Sequence, residues 1–268
     1  MRSLKKVSLG LIILLLISVT MLYFLQENLI FLPERLPEDY RYTFEVPFEE
    51  FYLDRPDGAT LNALHFKKED PTGVILYFHG NAGNLARWGE VVQELVNLNY
   101  DVLVMDYRTY GKSRGKLSEQ ALLEDAQAFY EHLVRSYQAE NIVVYGRSLG
   151  TAMASYVASH NQVPLLILET PFYSLLDVAK GRFPILPVEN FIKYPFRNHE
   201  FLRHTHAQIV IFHGDQDEVV PISSSLKLLR SLEGKPVEFI EIEGGEHNNL
   251  NTFETYRRAL RLILQPSS

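Results

Sequence analysis

Short apolar runs that end at polar or glycine residues constrain the fold of this chain more than any other feature. These runs are predicted strands, and they lie at Val74–Phe78, Val102–Met105, Ile142–Tyr145, Leu165–Leu168, Ile209–Phe212 and Val237–Ile242. Between them apolar residues recur at helical spacing, at Arg87–Leu98, Ser118–Ser136, Leu149–Ser159, Ser223–Leu232 and Asn251–Leu264. Apolar strands that alternate with helices are typical of a parallel sheet covered on both faces. The sequence therefore predicts an α/β fold.

Two further segments complete the predicted architecture. Phe51–Asp54 and Leu61–Phe66 flank the turn sequence Arg55-Pro56-Asp57-Gly58, which indicates a β-hairpin. With this hairpin we expect a mostly parallel sheet of eight strands with helices on both faces. Residues 172–203 contain three prolines and no strand pattern, and an insertion of that length over an α/β sheet is typical of a lid.

The N-terminal region contains a long apolar run. Val7–Leu25 is a stretch of 19 residues without a charged side chain. A helix of that length spans about 28 Å, close to the hydrocarbon thickness of a bilayer. The run ends in large residues rather than at a small-x-small cleavage site, which favours a retained membrane anchor over a cleaved signal peptide. Arg2, Lys5 and Lys6 precede the run, and positive charges on that side favour a cytoplasmic N-terminus.

These observations predict a chain with four parts. Residues 1–6 form a short cytoplasmic N-terminus, and residues 7–25 form a single transmembrane helix. Residues 26–50 are a linker that packs on the body, and residues 51–268 are the folded domain with its lid. This orientation places the domain outside the cytoplasm, in the periplasm, at the cell exterior or in an organelle lumen.

Composition excludes several classes of function. The chain has no cysteine, which excludes a thiolate nucleophile, a disulfide scaffold and a thiolate metal site. Its formal net charge is −7, and without a basic stripe we expect no nucleic-acid partner. His204 and His206 have no acidic third ligand nearby, and no phosphate-binding glycine motif is present. We therefore expect neither a metal ion nor a cofactor.

Polar residues follow the predicted strands, and open α/β sheets bind ligands at the carboxyl ends of their strands. One such segment, Gly146-Arg147-Ser148-Leu149-Gly150, fits the pattern G-x-S-x-G between a predicted strand and a predicted helix. That setting is typical of a nucleophile elbow, a sharp turn that holds its serine in a strained conformation. We expect Gly146 and Gly150 to prevent clashes with the neighbouring strand and helix.

A serine nucleophile needs a base, and the base needs an acid that orients it. In this type of sheet the chain order is serine, acid, histidine. Asp217 follows the strand Ile209–Phe212, and His247 lies in a glycine-containing loop after the last strand. We predict Asp217 as the acid and His247 as the general base. Asp215 is expected to cap its loop, and Glu169 is either a weaker alternative acid or a residue packed under the lid.

An oxyanion formed during acyl transfer needs two N–H donors. One is predicted to be the backbone N–H of Leu149, beside the nucleophile. The other is predicted to be the backbone N–H of Asn81, in the loop His79-Gly80-Asn81-Ala82-Gly83-Asn84. That loop could also be no more than a turn. His79 precedes Ser148 in the chain, and we interpret it as a structural hydrogen-bonding residue rather than a base.

Aromatic residues are frequent in the predicted lid, which contains Phe172, Tyr173, Phe183, Phe191, Tyr194 and Phe196. Two interpretations remain open for them. They can form a small core of the lid itself, or they can line an acyl-binding groove. In the second case Phe172, Tyr173 and Phe183 are the candidate lining residues.

With these motifs, the sequence resembles the α/β-hydrolase superfamily, and more narrowly the membrane-anchored serine hydrolases of the BEM46-like group and their mammalian counterparts. The segments that carry the resemblance are QENLIFLP (Gln26–Pro33), HGNAGN (His79–Asn84), DYRTYGKSRG (Asp106–Gly115), GRSLG (Gly146–Gly150), HGDQDEVVP (His213–Pro221) and GEHN (Gly245–Asn248). The resemblance covers essentially the whole chain after the apolar run. It places the catalytic residues of the family on Ser148, Asp217 and His247. The chain departs from the family at Thr109, where glycine is common, and a threonine restricts the backbone of that loop.

The resemblance implies a serine esterase or thioesterase that forms an acyl-enzyme and acts on small-molecule or lipid-linked acyl groups. The expected partners are therefore an acyl substrate and the membrane that holds the N-terminal helix. Two alternatives stay open. One is a serine peptidase, because the same three residues serve peptidases on this fold, and the other is a non-catalytic binding module tethered to the membrane.

Overall fold

The computed structural model describes residue 10, residues 17–21 and residues 23–265. Residues 17–21 and 23–30 are helical, and residues 23–30 are called α1 below. The predicted cytoplasmic residues 1–6 and more than half of the predicted transmembrane span, residues 7–25, lie outside the described residues. Within the described part of the chain, no helix has both the length and the apolar character needed to span a bilayer.

Eight strands form one sheet in the order β1-β2-β4-β3-β5-β6-β7-β8. They are β1 (Phe48–Asp54), β2 (Thr60–Phe66), β3 (Val74–Phe78), β4 (Asp101–Met105), β5 (Ile142–Arg147), β6 (Leu165–Glu169), β7 (Gln208–Gly214) and β8 (Val237–Ile242). The hairpin strands β1 and β2 pair antiparallel, and β2 is also antiparallel to β4. All other neighbours are parallel. The predicted hairpin and the mostly parallel sheet are confirmed.

Helices cover both faces of this sheet. Besides α1 they are α2 (Leu85–Val96), α3 (Glu119–Leu133), α4 (Gly150–His160), α5 (Leu175–Arg182), α6 (Asn198–Phe201), α7 (Ile222–Ser231) and α8 (Glu254–Leu264). Successive strand residues point to opposite faces, so Leu76 packs among buried residues of α3 and α4. Its neighbour Tyr77 packs among buried residues of α2 and α8. The apolar character of the central strands follows from burial on both sides.

The predicted linker packs on the body through backbone contacts. Isolated bridges join Pro33 to Gly83 and Arg35 to Gly111. The strand β1 begins at Phe48, which is three residues inside the predicted linker, because Phe48 pairs with Phe66 across the hairpin. The first strand of the hairpin is therefore three residues longer at its start than the predicted strand Phe51–Asp54. The helix α1 also extends into the linker, as far as residue 30.

The insertion between β6 and β7 contains α5, α6 and a short 3-10 turn at Val188–Asn190, and no strand. Its residues Tyr194 and Phe196 are buried in the same core as α3 and α4, and the ring of Tyr194 meets that of Phe31 edge-on at 4.9 Å. Residues 172–203 thus cover the carboxyl edge of the sheet, where the predicted site residues lie.

Candidate active site

Ser148 lies in a sharp turn between β5 and α4. Its φ angle is 50°, in the left-handed region that non-glycine residues rarely occupy. The backbone N–H of Ser148 donates to the carbonyl of Glu169 at 2.8 Å, so the end of β6 holds the turn in place. The predicted strained conformation is present, and the Ser148 side chain is left half-buried at the carboxyl edge of the sheet.

Two glycines make this turn possible. A Cβ at Gly146 would lie 2.6 Å from both the Cβ of Ala154 and the carbonyl oxygen of Gly150. A Cβ at Gly150 would collide with the carbonyl oxygen of Phe78. Any side chain at either position would push α4 away from the sheet, and these distances agree with the role expected for both glycines.

Ser148, His247 and Asp217 lie in one hydrogen-bonded chain. The Nε2 atom of His247 is 2.9 Å from the Oγ of Ser148, and its Nδ1 atom is 2.7 Å from the Oδ2 of Asp217. His247 and Asp217 are both buried, although they are distant in sequence. This arrangement allows a proton to pass from the hydroxyl to the imidazole while the carboxylate orients the ring.

The carboxylate of Asp217 is itself held from several sides. Its Oδ1 atom accepts hydrogen bonds from the backbone N–H groups of Val219 and Val220, both at 2.8 Å. Burial raises the pKa of Asp217, but the hydrogen bonds from His213 and His247 outweigh burial and hold that pKa well below its ordinary value. Asp217 is therefore charged at neutral pH and can stabilise a protonated His247.

Arg147 contacts the loop that carries His247 and holds it in place. Its Nη2 atom is 3.3 Å from both the carbonyl oxygen of His247 and the Oδ1 of Asn248. Its Nε atom pairs with Glu169 at 3.1 Å in a buried ion pair. A charged residue at the second position of G-x-S-x-G is visible in the sequence, but its partner Glu169 and its contact with the His247 loop are apparent only in the fold.

Glu169 belongs to this support and not to the lid. Besides Arg147, its carboxylate accepts hydrogen bonds from the hydroxyls of Tyr145 at 2.6 Å and Tyr256 at 3.1 Å. These tyrosines lie on the sheet face covered by α2 and α8. The expectation that Glu169 packs under the lid is wrong, because its side chain points to the opposite face. Asp217, not Glu169, is the carboxylate that contacts His247.

The two predicted oxyanion donors are backbone N–H groups that lie beside Ser148 and in the loop after β3. Leu149 is the residue before α4, and its N–H precedes the first helical turn, where amide groups have no intrahelical partner. Asn81 lies in the loop between β3 and α2. Among the described residues, neither the Leu149 N–H nor the Asn81 N–H donates a hydrogen bond. Both groups are free to bind a ligand oxygen.

The side chain of Asn81 ties its loop to the N-terminal segment. Its Nδ2 donates to the carbonyl of Ile30, and its Oδ1 accepts from the N–H of Leu32 at 3.0 Å. The hydroxyl of Tyr110 donates to the same oxygen at 2.6 Å. The loop is thus held by residues outside the sheet, and no motif in the sequence indicates this arrangement.

A cavity of about 540 Å³ opens above Ser148 and His247, within the range of about 300–1,000 Å³ that is usual for small-molecule sites. Its walls are mostly apolar and come from α1, α5 and the loops at the carboxyl edge of the sheet. Phe172 and Phe183 line it, as predicted for a groove. Tyr173 does not, because its ring stacks on His199 at 4.0 Å on another side of the lid. The lid aromatics therefore divide between the cavity and the core.

Three other polar residues at this edge are structural. Asp215 accepts a hydrogen bond from the N–H of Gly244 at 2.7 Å, so it ties the loop after β7 to the loop after β8 rather than capping its own loop as expected. His79 is buried, with Nδ1 2.7 Å from the carbonyl oxygen of Gly80 and Nε2 3.4 Å from Asp106. Burial raises the pKa of Asp106, and the hydrogen bond from His79 opposes this rise.

Comparison with known proteins places these observations in a family. A family model described as serine aminopeptidase, S33, matches residues 69–179. The protein bem46 of Schizosaccharomyces pombe is 32% identical over 223 residues, which cover 77% of this chain and 74% of that protein. The uncharacterized membrane protein YNL320W of Saccharomyces cerevisiae is 30% identical over 268 residues, which cover 95% of this chain and 94% of that protein.

Solved structures show the same fold. An esterase from Pyrococcus furiosus matches with a TM-score of 0.70 and 20% sequence identity, over 88% of this chain and 96% of that one. An acetyl xylan esterase from Paenibacillus sp. R4 matches with a TM-score of 0.68 and 16% identity, over 85% and 86% of the two chains. The predicted fold, a mostly parallel eight-stranded sheet of the α/β-hydrolase type, is confirmed.

Proposed function

Because the chain belongs to the Bem46-like α/β-hydrolases, we propose that it cleaves carboxylic ester or thioester bonds with Ser148 as nucleophile, His247 as general base and Asp217 as the orienting acid. The observation that carries this proposal is the hydrogen-bonded chain from Asp217 through His247 to Ser148. The chain ends at the floor of a cavity with apolar walls.

The proposed reaction has two acyl-transfer steps. His247 takes the proton of Ser148 as Oγ attacks the carbonyl carbon, and the N–H groups of Leu149 and Asn81 bind the oxyanion. The intermediate collapses when His247 gives that proton to the leaving alcohol or thiol, which leaves an acyl-enzyme. His247 then takes a proton from a water molecule as the water oxygen attacks the acyl carbon. The acid departs and Ser148 regains its proton.

The charges around the cavity favour an acyl substrate over a peptide with a free amino terminus. Arg87, Arg147 and Arg182 line the cavity, and no carboxylate is among its described lining residues. An aminopeptidase has to hold an ammonium group, for which an acidic side chain is the natural partner. The peptidase remains the second candidate because the S33 family model matches residues 69–179.

Membrane attachment is part of the same proposal. Residues 7–25 would cross the bilayer once, with residues 1–6 in the cytoplasm and the hydrolase domain on the other side. The uncharged run and the basic residues before it support this arrangement, and one relative bears the name of a membrane protein. A site held beside a bilayer suits a lipid or lipid-linked acyl substrate.

The test is labelling by a fluorophosphonate probe together with hydrolysis of p-nitrophenyl esters of increasing chain length. The wild-type protein should be labelled and should hydrolyse esters, whereas Ser148→Ala should lose both labelling and nearly all activity. A p-nitroanilide of an amino acid, assayed in parallel, should be cleaved much more slowly than the esters. Equal labelling of both proteins would exclude Ser148 as the nucleophile. A wild-type protein that is neither labelled nor active would favour the non-catalytic binding module, and faster anilide cleavage would favour the peptidase.

A further inference from the structure

An apolar turn in the middle of the lid segment points into solvent. The N–H of Leu186 donates to the carbonyl of Phe183 at 3.1 Å, which closes a turn with Pro184 and Ile185 at its centre. Ile185 is 91% exposed. Turn tips usually carry Gly, Asn, Asp or Ser, because these residues suit the turn geometry. Ile185 therefore presents an apolar side chain to solvent at the tip of this turn.

Exposed apolar side chains surround the cavity mouth. We call the following residues the rim: Leu29, Leu32, Phe183, Ile185 and Val219, which are exposed by 60, 53, 39, 91 and 51%. All except Ile185 line the cavity. Single exposed apolar residues are ordinary, but a cluster around one opening marks a surface that binds another molecule or a membrane.

The rim is continuous with the apolar N-terminal helix. Ile17, Met21, Phe24 and Leu25 are exposed along the same helical region. Leu29 follows Leu25 by one turn, so its Cα lies about 6 Å further along the helix axis. If the run that ends at Leu25 is in a bilayer, Leu29 is at the level of the lipid headgroups. The cavity that Leu29 shares with Phe183 brings the lid tip to a similar level.

Cations accompany the rim. Arg87 and Arg182 are exposed and line the cavity, and neither forms an ion pair with another described residue. Glu218 and Asp177 line a neighbouring groove, to which Arg182 and Val219 also contribute, whereas no carboxylate is among the described residues that line the cavity itself. Apolar side chains mixed with unpaired cations are the composition of surfaces that bind the interface of anionic membranes.

We propose that the rim is a second membrane-docking surface, in which the lid tip at Ile185 inserts into an anionic lipid bilayer. The cavity mouth then faces lipid, and an acyl chain can pass from the bilayer toward Ser148 without crossing water. The docking is independent of catalysis, whereas this route for the substrate rests on the proposed function.

The chain has no cysteine, so a single cysteine can carry a fluorophore at a chosen position. We would label Ile185→Cys with an environment-sensitive dye in the full chain, reconstituted in vesicles of phosphatidylcholine and phosphatidylglycerol. Leu262→Cys is the matched control, because Leu262 is an apolar residue on α8, 61% exposed and away from the rim. The dye at position 185 should shift to shorter wavelength and be quenched by lipids brominated on their acyl chains. The dye at position 262 should show neither change.

Two results would overturn the docking surface. One is a dye at position 185 that behaves as the dye at position 262 does. The other is a wavelength shift without quenching by brominated lipid, which would mean that the tip packs against protein, including a second copy of the chain. Both readouts are spectroscopic, so they remain valid if Ser148 proves not to be the nucleophile.

Activity gives a second measurement of the substrate route. Ile185→Ser should lower hydrolysis of a long-chain ester embedded in vesicles by about tenfold, because the lost apolar contact weakens insertion. It should leave hydrolysis of a short soluble ester unchanged, since Ile185 does not line the cavity. Leu262→Ser should change neither rate. If Ile185→Ser hydrolyses the embedded ester at the wild-type rate, the route is overturned. In that case the proposed function would still be supported if Ser148→Ala lost hydrolysis of both the embedded and the soluble ester.

Discussion

The two sides of the cavity are built differently. On one side, Ser148 lies in a turn between β5 and α4, and close backbone contacts at Gly146 and Gly150 leave no freedom for that turn to shift. On the other side, the loop of Asn81 is held by hydrogen bonds to Ile30 and Leu32, which precede the sheet in the chain. Ser148, the proposed nucleophile, is positioned by the core of the domain, and the opposite wall is positioned by the N-terminal segment.

This difference separates what the fold provides from what the attachment of the chain provides. The packing of the core changes little when a surface segment moves, because protein interiors are close-packed and have low compressibility. Hydrogen bonds between a loop and a terminal segment are weaker and can respond to the state of that segment. We therefore expect changes on the Ser148 side to affect folding or chemistry strongly, and changes on the Asn81 side to adjust the rate.

The largest effect is expected for Gly150→Ala. The added Cβ would collide with the carbonyl oxygen of Phe78, and backbone cannot move aside as a flexible side chain can. We expect a loss of at least about 4 kcal/mol in the free energy of unfolding, measured by chemical denaturation, or no folded protein at all. Gly181→Ala is the control, because nothing lies within 4 Å of its Cβ position. There alanine should stabilise α5 by about 0.5–1 kcal/mol, and equal losses at both sites would contradict the tight elbow.

Asp217→Asn should preserve the fold and lower kcat for a short ester by about 10⁴-fold, because a neutral amide cannot stabilise protonated His247. The loss should appear in kcat with little change in KM. An activity within tenfold of wild type would show that another group orients His247.

The same variant tests the charge of Asp217 through pH. Its pKa is lowered in the folded protein, so its contribution to stability is complete above the ordinary pKa of about 4 and is lost as the pH falls below that value. The difference in unfolding free energy between wild type and Asp217→Asn should therefore shrink as the pH is lowered from 6 toward 3. A difference that stays constant over that range would mean that the carboxylate is not held in its charged form.

Most of the Ser148 side could be predicted from sequence, and most of the Asn81 side could not. The turn that carries Ser148 is local: a strand, five residues and a helix specify it, and the chain order expected for this type of sheet then points to Asp217 and His247. The bonds of Asn81 to residues 30 and 32 join segments about fifty positions apart, and no local pattern encodes such a pairing. The sequence also cannot separate Tyr173, which does not line the cavity, from Phe172, which does, since neighbouring aromatics can point to opposite sides of a loop.

A smaller effect is expected for Asn81→Ala, which tests the side of the cavity held by the N-terminal segment. The change removes the bonds to Ile30, Leu32 and Tyr110 but leaves the backbone N–H that is proposed to bind the oxyanion. We expect kcat to fall by about tenfold, because the donor is less well positioned and a full donor loss costs about 10²–10³-fold. Asn81→Asp retains the oxygen that accepts from Leu32 and Tyr110. Its kcat should therefore lie between those of the wild type and Asn81→Ala. A fall as large as that of Asp217→Asn would show that the two sides do not differ.

The smallest effect is expected at Thr109, in the loop whose next residues hold the N-terminal segment. Gly111 donates to the carbonyl of Glu34 and accepts from the N–H of Leu36, both at 3.0 Å. Thr109 has a φ angle of 76°, and its buried hydroxyl has no hydrogen-bond partner among the described residues. A β-branched residue in this conformation stores about 1–2 kcal/mol of strain, partly offset in a glycine variant by about 0.5–1 kcal/mol of added chain entropy in the unfolded state.

Thr109→Gly should therefore raise the free energy of unfolding by about 0.5–1 kcal/mol, measured by chemical denaturation, and leave kcat unchanged because the loop keeps its shape. Thr109→Ala separates the two causes: alanine removes the unpaired hydroxyl but keeps a Cβ at positive φ, so it should gain less than glycine. A glycine variant less stable than wild type would mean that threonine is accommodated without strain. In that case threonine at position 109, where glycine is common in the family, does not weaken the side of the cavity that Asn81 and the N-terminal segment form.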